Sequence, residues 1–121
     1  MILITGGNGL TSVEVLSTSG SSLPLLCTLP PLPSSRYGHT QDGLVACGGC
    51  CAAAGASCVT LTAEGWEETH QLQTARNYHS SWSSPAGLLM MGGYGYSAYN
   101  TTELLTNSST SPSFLLEYDT V

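Results

Sequence analysis

Charge is what this sequence has least of. Only 8% of its 121 residues are charged, against about 25% in an average soluble domain. Arg36 and Arg76 are the whole basic complement, and eight acidic residues leave a formal charge of −6. That balance argues against a nucleic-acid backbone or an anionic membrane surface as partner. No run of about 18 apolar residues occurs, so no spanning helix and no membrane insertion is expected. The N-terminus has no basic n-region and no apolar stretch long enough for a signal peptide. Catalytic motifs are missing as well: there is no G-x-S-x-G, no HExxH and no Walker loop. The carboxylates are scattered, and Glu67-Glu68 reads as a solvated strand-end pair rather than a dyad. No catalytic residue, metal site or cofactor is expected, and the chain reads as a non-enzyme.

Ser, Thr and Gly fill the polar positions, which suits exposed strand faces and tight turns better than helices. With 41% hydrophobic residues the chain can still build a core. The organising feature is a short apolar run closing on a glycine doublet, and it appears three times. Ile2-Leu3-Ile4-Thr5 leads into Gly6-Gly7, Leu44-Val45-Ala46-Cys47 into Gly48-Gly49, and Leu88-Leu89-Met90-Met91 into Gly92-Gly93. The doublets lie 42 and 44 residues apart, a blade-type period. Arg36-Tyr37-Gly38-His39 precedes the second doublet, and Arg76-Asn77-Tyr78-His79 precedes the third, 40 residues on. A short β-rich segment follows each doublet: Val13 to Leu16, Cys58 to Leu61 and Thr102 to Leu105.

The spacing predicts about 11 short antiparallel strands and no helix, over 1–5, 12–16, 23–29, 58–62, 66–71, 88–91, 101–105 and 114–118 among others. Arg36 to Thr40 and Arg76 to Trp82 also read as strands, with turns over Gln41-Asp42-Gly43, 63–65 and 83–87. Pro30-Pro31-Leu32-Pro33 lacks the N–H groups of a ladder and must be a connection. A repeat of four antiparallel strands points to a propeller. The chain divides into a partial blade, 1–29, and two full blades, 30–71 and 72–121, within one region.

These residues resemble kelch repeats. The doublets, Arg36 with His39, Arg76 with His79, Trp66, Glu14 and Glu103 sit in the places of that family's pattern. The first repeat departs from it with Leu23 to Leu26 where Trp66 stands in the second, and the second lacks the glutamate. The resemblance covers nearly the whole chain and implies a partial β-propeller of four-stranded blades in an incomplete ring. Met1 begins inside a strand, so a piece of a longer chain is expected, its remaining blades packing against this one. Kelch resemblance implies a protein-binding module. It also leaves open a part of a galactose-oxidase-like or other carbohydrate-active propeller enzyme, or an intracellular BTB-kelch adaptor of a ubiquitin ligase.

Cys47-Gly48-Gly49-Cys50 is formally a C-x-x-C, and with Cys58 and His70 it could be written as a metal set. Its glycines are the repeat's own doublet, so disulfide chemistry is the better reading. Cys47 ends one strand and Cys58 begins its neighbour, so these two could pair across the ladder at a Cα separation of about 5.5–6 Å. Cys50 or Cys51 could replace Cys47, and with five cysteines one thiol is left over or pairs elsewhere. The sequons at Asn100 and Asn107, beside the cysteines, favour an extracellular or secreted protein over a cytoplasmic one. His39 and His79, in the same phase, read as structural, as do the two arginines and Trp66. Tyr94, Tyr96 and Tyr99 follow the third doublet on a loop. They would bind a protein partner or a glycan, or equally would pack against an adjoining blade.

Overall fold

The computed structural model describes residues 2–16, 29–50, 55–106 and 117–119. Within them the protein is all-β, with ten strands and no helix: β1 (Ile2–Thr5), β2 (Val13–Leu16), β3 (Thr40–Asp42), β4 (Val45–Cys47), β5 (Ser57–Thr62), β6 (Gly65–Gln71), β7 (Ser80–Ser84), β8 (Gly87–Met91), β9 (Thr101–Leu105) and β10 (Glu117–Asp119). They form an N-terminal pair β1-β2, a middle sheet β3-β4-β5-β6 and a C-terminal sheet β7-β8-β9-β10. Every pairing is antiparallel and no sheet closes into a barrel. The all-β, blade-like architecture expected from the repeat is present. The expected strand over 23–28, with Cys27, and the residues Cys51, Asn107 and 114–116 lie outside the described residues.

Three boundaries differ from the sequence reading. Gln41 and Asp42 lie in β3, paired with Ala46 and Val45, so the turn shrinks to Gly43-Leu44. Gly43, at φ +56°, supplies the left-handed residue that so short a loop needs. The turn expected over 83–87 contracts to Pro85-Ala86, because Ser83 and Ser84 pair with Leu88 and Gly87. The two Arg-x-x-His stretches are not strands. Gly38 and Tyr78 take φ of +65° and +51°, which no ladder residue adopts, so β3 and β7 start only after each histidine.

The doublets work the same way in each sheet. The first glycine closes a ladder: Gly6 N–H donates to Ser12 O at 2.9 Å, Gly48 to Ser57 O at 3.0 Å and Gly92 to Thr101 O at 3.0 Å. The second reaches the following sheet, with Gly7 N–H on Arg36 O and Gly49 N–H on Arg76 O, both at 2.9 Å. A Cβ at Gly48 would stand 2.6 Å from Arg76 O and 2.6 Å from the His79 ring. The doublet is glycine because two sheets meet there.

Sheets then stack face on face. Val13 and Leu3 of the N-terminal pair pack against Ala46, Val59 and Trp66 of the middle sheet, with Leu29 and Leu32 between. Cys47, Cys58 and Val45 meet Met90, Leu105 and Leu88 of the C-terminal sheet, with Leu72 between. Trp66 lies in the inter-sheet cluster, its Nε1–H donating to Pro30 O at 2.8 Å. The first strands β3 and β7 run beside one another. Each fully buried large apolar side chain contributes about 1.5–3 kcal/mol.

Cys47 and Cys58 are directly opposed across β4 and β5 and joined in a disulfide. Their Cα atoms stand 4.1 Å apart, closer than the sequence reading expected. That separation is near the ~4.5 Å of an antiparallel pair that shares no ladder hydrogen bonds. Both cysteines are buried in the inter-sheet core. Reduction should lower unfolding stability by about 2–3 kcal/mol, the loop-closure value for a ring this short. Urea titration with and without reductant measures it, and coincident midpoints would show the bond to be energetically idle.

Candidate binding face

One end of the stacked sheets is built on the two arginines. Both are 1% exposed, so each guanidinium must find its acceptors within the protein. Arg76 Nη1 donates to Gly92 O at 2.7 Å and Thr101 O at 3.0 Å. Its Nη2 donates to Thr101 Oγ1 at 3.1 Å and Glu103 Oε2 at 2.7 Å. Gln73 N–H donates to the other oxygen of that carboxylate. Arg36 repeats the pattern on Gly48 O (3.2 Å), Ser57 O (3.0 Å) and Ser57 Oγ (2.9 Å). Val59 stands where Glu103 would be, so Arg36 has no direct carboxylate; burial lowers its pKa and Glu68 acts in the opposite sense.

The histidines tie neighbouring sheets together. His39 Nε2 is hydrogen-bonded to Thr5 Oγ1 at 2.9 Å, and His79 Nε2 to Thr40 Oγ1 at 2.8 Å. His70 has a partner that the sequence did not reveal: its Nε2 lies 3.3 Å from Thr106 O in the third repeat.

On this base lie the tyrosines. The β8–β9 loop is anchored by backbone hydrogen bonds in both directions between Tyr94 and Asn77, at 2.9 and 2.8 Å, and by Tyr99 N–H on Gly93 O at 2.8 Å. Tyr99 covers the buried arginine, with the guanidinium carbon 5.6 Å from its ring centroid. A Cβ at Gly95 would strike the Tyr99 hydroxyl at 2.1 Å, so glycine there allows the ring to fold over. Tyr94 is half-exposed and Tyr96 is fully exposed, at 52% and 102%.

Two further tyrosines share this end and were not singled out from the sequence. Tyr37 and Tyr78 meet edge to face at 6.4 Å. Tyr78 is 69% exposed and holds a positive φ that bulky residues rarely take, a strain of the kind concentrated at functional sites. The signal was in the repeat: both lie inside the two Arg-x-x-His stretches.

A cleft of about 610 Å³ is lined by Gly49, Cys50, Arg76, Asn77, Tyr94, Tyr96 and Tyr99, among others. Asn77 Oδ1 is buried there and accepts no hydrogen bond. Apart from the buried Arg36 and Arg76, the described loops at this end carry no acidic residue, lysine or further arginine. The protein presents an uncharged aromatic face despite its net −6.

Cys47 and Cys58, two of the residues of the formal C-x-x-C set, are bonded to each other. Among the described residues no group of three or more His, Cys, Asp or Glu is placed to hold a metal ion. Glu67 and Glu68 are exposed, Glu68 accepting from Gln71 at 2.9 Å. Asn100 is exposed at the edge of the tyrosine loop.

Burial, then the neighbouring Arg76 and His39, hold the His79 pKa down to about 4. His39 is lowered by burial and by Arg36. Both rings are therefore neutral in the folded protein at pH 7, whereas the unfolded chain protonates them near pH ~6.5. Their contribution is complete above about pH 6.5 and is lost as pH falls towards about 4, on the order of 2–3 kcal/mol for His79. Urea unfolding between about pH 7 and 4.5 should show this decline, and His79→Gln should flatten it relative to wild type. An equally steep decline in the variant would assign the acid sensitivity to carboxylates instead. No protein-family model matches this chain, and no curated protein matches it.

Proposed function

We propose that this chain is a kelch-type β-propeller segment serving as a non-enzymatic protein-binding module, and that its partner docks on the tyrosine face. The observation carrying the reading is the Gly92–Asn100 loop. It is composed of Gly, Tyr, Ser, Ala and Asn, tied at both ends to a rigid sheet, with Tyr94 and Tyr96 turned to solvent. Loops of that composition bind protein surfaces well, because tyrosine offers large amphipathic area at low entropic cost while Ser, Gly and Asn adapt their hydrogen bonds. The orphaned Asn77 oxygen adds an acceptor for a partner N–H or O–H. The buried Cys47–Cys58 disulfide supports an extracellular setting, where glycan at Asn100 would border the same face. No helix among the described residues is long and apolar enough to cross a membrane.

The kelch reading rests on the three in-phase doublets, the two seated arginines and the four-stranded sheets they join. Binding should depend on aromatic contact and little on salt, since the face carries no exposed charge.

The test uses a photo-cross-linker at Ser97 to capture a partner from extracellular medium, followed by affinity measurement with the purified partner. Tyr94→Ala with Tyr96→Ala should weaken binding roughly 30-fold or more, as loss of about 2 kcal/mol at a hot spot implies, with melting unchanged. Equal affinity of the double variant, or affinity falling steeply with salt, would place the partner elsewhere.

A further inference from the structure

The cleft at the tyrosine end has a lining that selects among ligands. Its volume of about 610 Å³ falls within the ~300–1,000 Å³ of sites that enclose a small molecule or one group of a larger partner. Its large apolar surfaces are the rings of Tyr94, Tyr96 and Tyr99, and Gln73, Thr74 and Asn77 supply neutral polar groups. Among the described residues no Leu, Ile, Val, Met or Phe lines it. It offers flat rings and amides, with no aliphatic socket.

Charge narrows the choice further. Arg76 is the one charged residue in the described lining, and its guanidinium is already committed to Glu103, Gly92 O and Thr101. An anionic ligand would meet no free cation, and would approach a protein of net charge −6. A cationic ligand would find no carboxylate in the described walls. A folded protein surface carries charge on about a quarter of its residues, and complementarity to it calls for charges that this cleft does not have. A neutral ligand fits.

One polar atom in the wall is left over in a way the repeat does not explain. Arg76 Nε and Asn77 Oδ1 are both buried without a partner. Arg36 Nε is unpaired as well, so that orphan belongs to the repeated arginine. Asn77 has no such counterpart, because Tyr37 stands at its place in the preceding repeat. An unpaired buried acceptor costs free energy that an incoming donor recovers. A proline tract, which otherwise suits tyrosine-lined grooves, brings no N–H to supply it. A sugar hydroxyl donates and accepts at once. The C–H face of a pyranose ring also suits the negative face of an aromatic ring. The stacking rings occur in this repeat alone, since Ala52 and Gly55 hold the sequence positions of Tyr96 and Tyr99 in the preceding one.

We infer that this cleft binds a neutral pyranose of a glycan, stacked on Tyr94 and Tyr96, with a ring hydroxyl donating to Asn77 Oδ1. With the tyrosine end as the binding face, on which this rests, the partner protein presents a glycan there rather than bare polypeptide.

The probes are neutral oligosaccharides of glucose, galactose, mannose and N-acetylglucosamine, with sialylated and sulfated counterparts. Each is titrated into the whole chain and followed by tyrosine fluorescence and amide NMR. At least one neutral probe should bind saturably, with shifts concentrated in residues 73–77 and 92–100 and its anionic counterparts about tenfold weaker or more. Tyr96→Ala, at a fully exposed position, should weaken binding about tenfold or more. Asn77→Leu should do the same with melting unchanged or raised, because it removes an unpaired buried oxygen. A purely structural asparagine would instead lower melting and spare affinity. Absence of saturable binding by every neutral probe, or binding that survives both variants, would overturn the assignment. A captured protein partner separates glycan from face. Affinity that depends on Tyr94 and Tyr96 but persists after enzymatic removal of the partner's glycans sinks the glycan and leaves the face. Affinity indifferent to both tyrosines sinks the face itself.

Discussion

A guanidinium buried where two strands begin to separate is the constraint on which this structure turns. A buried cation is costly unless every neighbouring carbonyl is aimed at it. Arg76 is aimed at by Gly92 O and Thr101 O and is neutralised by Glu103. Its own backbone carbonyl in turn accepts from Gly49 of the preceding sheet. One residue thus closes its own sheet with its side chain and fastens the previous sheet with its backbone. The glycine doublet, the hydroxyl at Ser57 or Thr101 and the histidine three residues on follow from that geometry. Arg36 shows that the carboxylate is the dispensable member: with Val59 opposite, the carbonyls and Ser57 hold the charge.

The same constraint explains how so little charge suffices. Both bases of the chain are spent inside, as carbonyl cross-links between sheets, so the surface is left with acidic residues alone. At the doublet end there are none of these either. An aromatic, neutral face follows, and tyrosine fits it because the ring packs while the hydroxyl remains in water.

How much of this was legible in the sequence depends on whether a feature repeats. The doublets, the arginines and the Cys47–Cys58 pairing could be read because each takes its place from the phase, and the phase is carried by glycines that nothing else can replace. The limits of β3 and β7 could not, since propensity across Arg36–Thr40 favours a strand. What stops the ladder is a backbone twist at Gly38 and Tyr78, and at Tyr78 the residue type gives no warning of it. Tyr94, Tyr96 and Tyr99 were visible as a cluster. Their association with Asn77 and with Arg76 was not, because it depends on a bridge between segments 17 residues apart.

The comparison of equal-length loops separates scaffold from function. Gly48 to Ser57 and Gly92 to Thr101 span the same number of residues, and their backbones bridge Tyr37 and Asn77 at matching positions, Cys50 and Tyr94. In the second repeat Gly55 stands where Tyr99 covers Arg76 in the third. At the described positions the two loops make the same backbone bridge through Cys50 and through Tyr94, so that bridge does not itself require tyrosine. On that loop Tyr94 and Tyr96 stand outward while Tyr99 folds inward over Arg76, and the proposed binding role draws on the outward pair. Because Tyr99 rests on the guanidinium that also anchors the C-terminal sheet, the geometry of that face is set by the same buried charge that holds the sheets together.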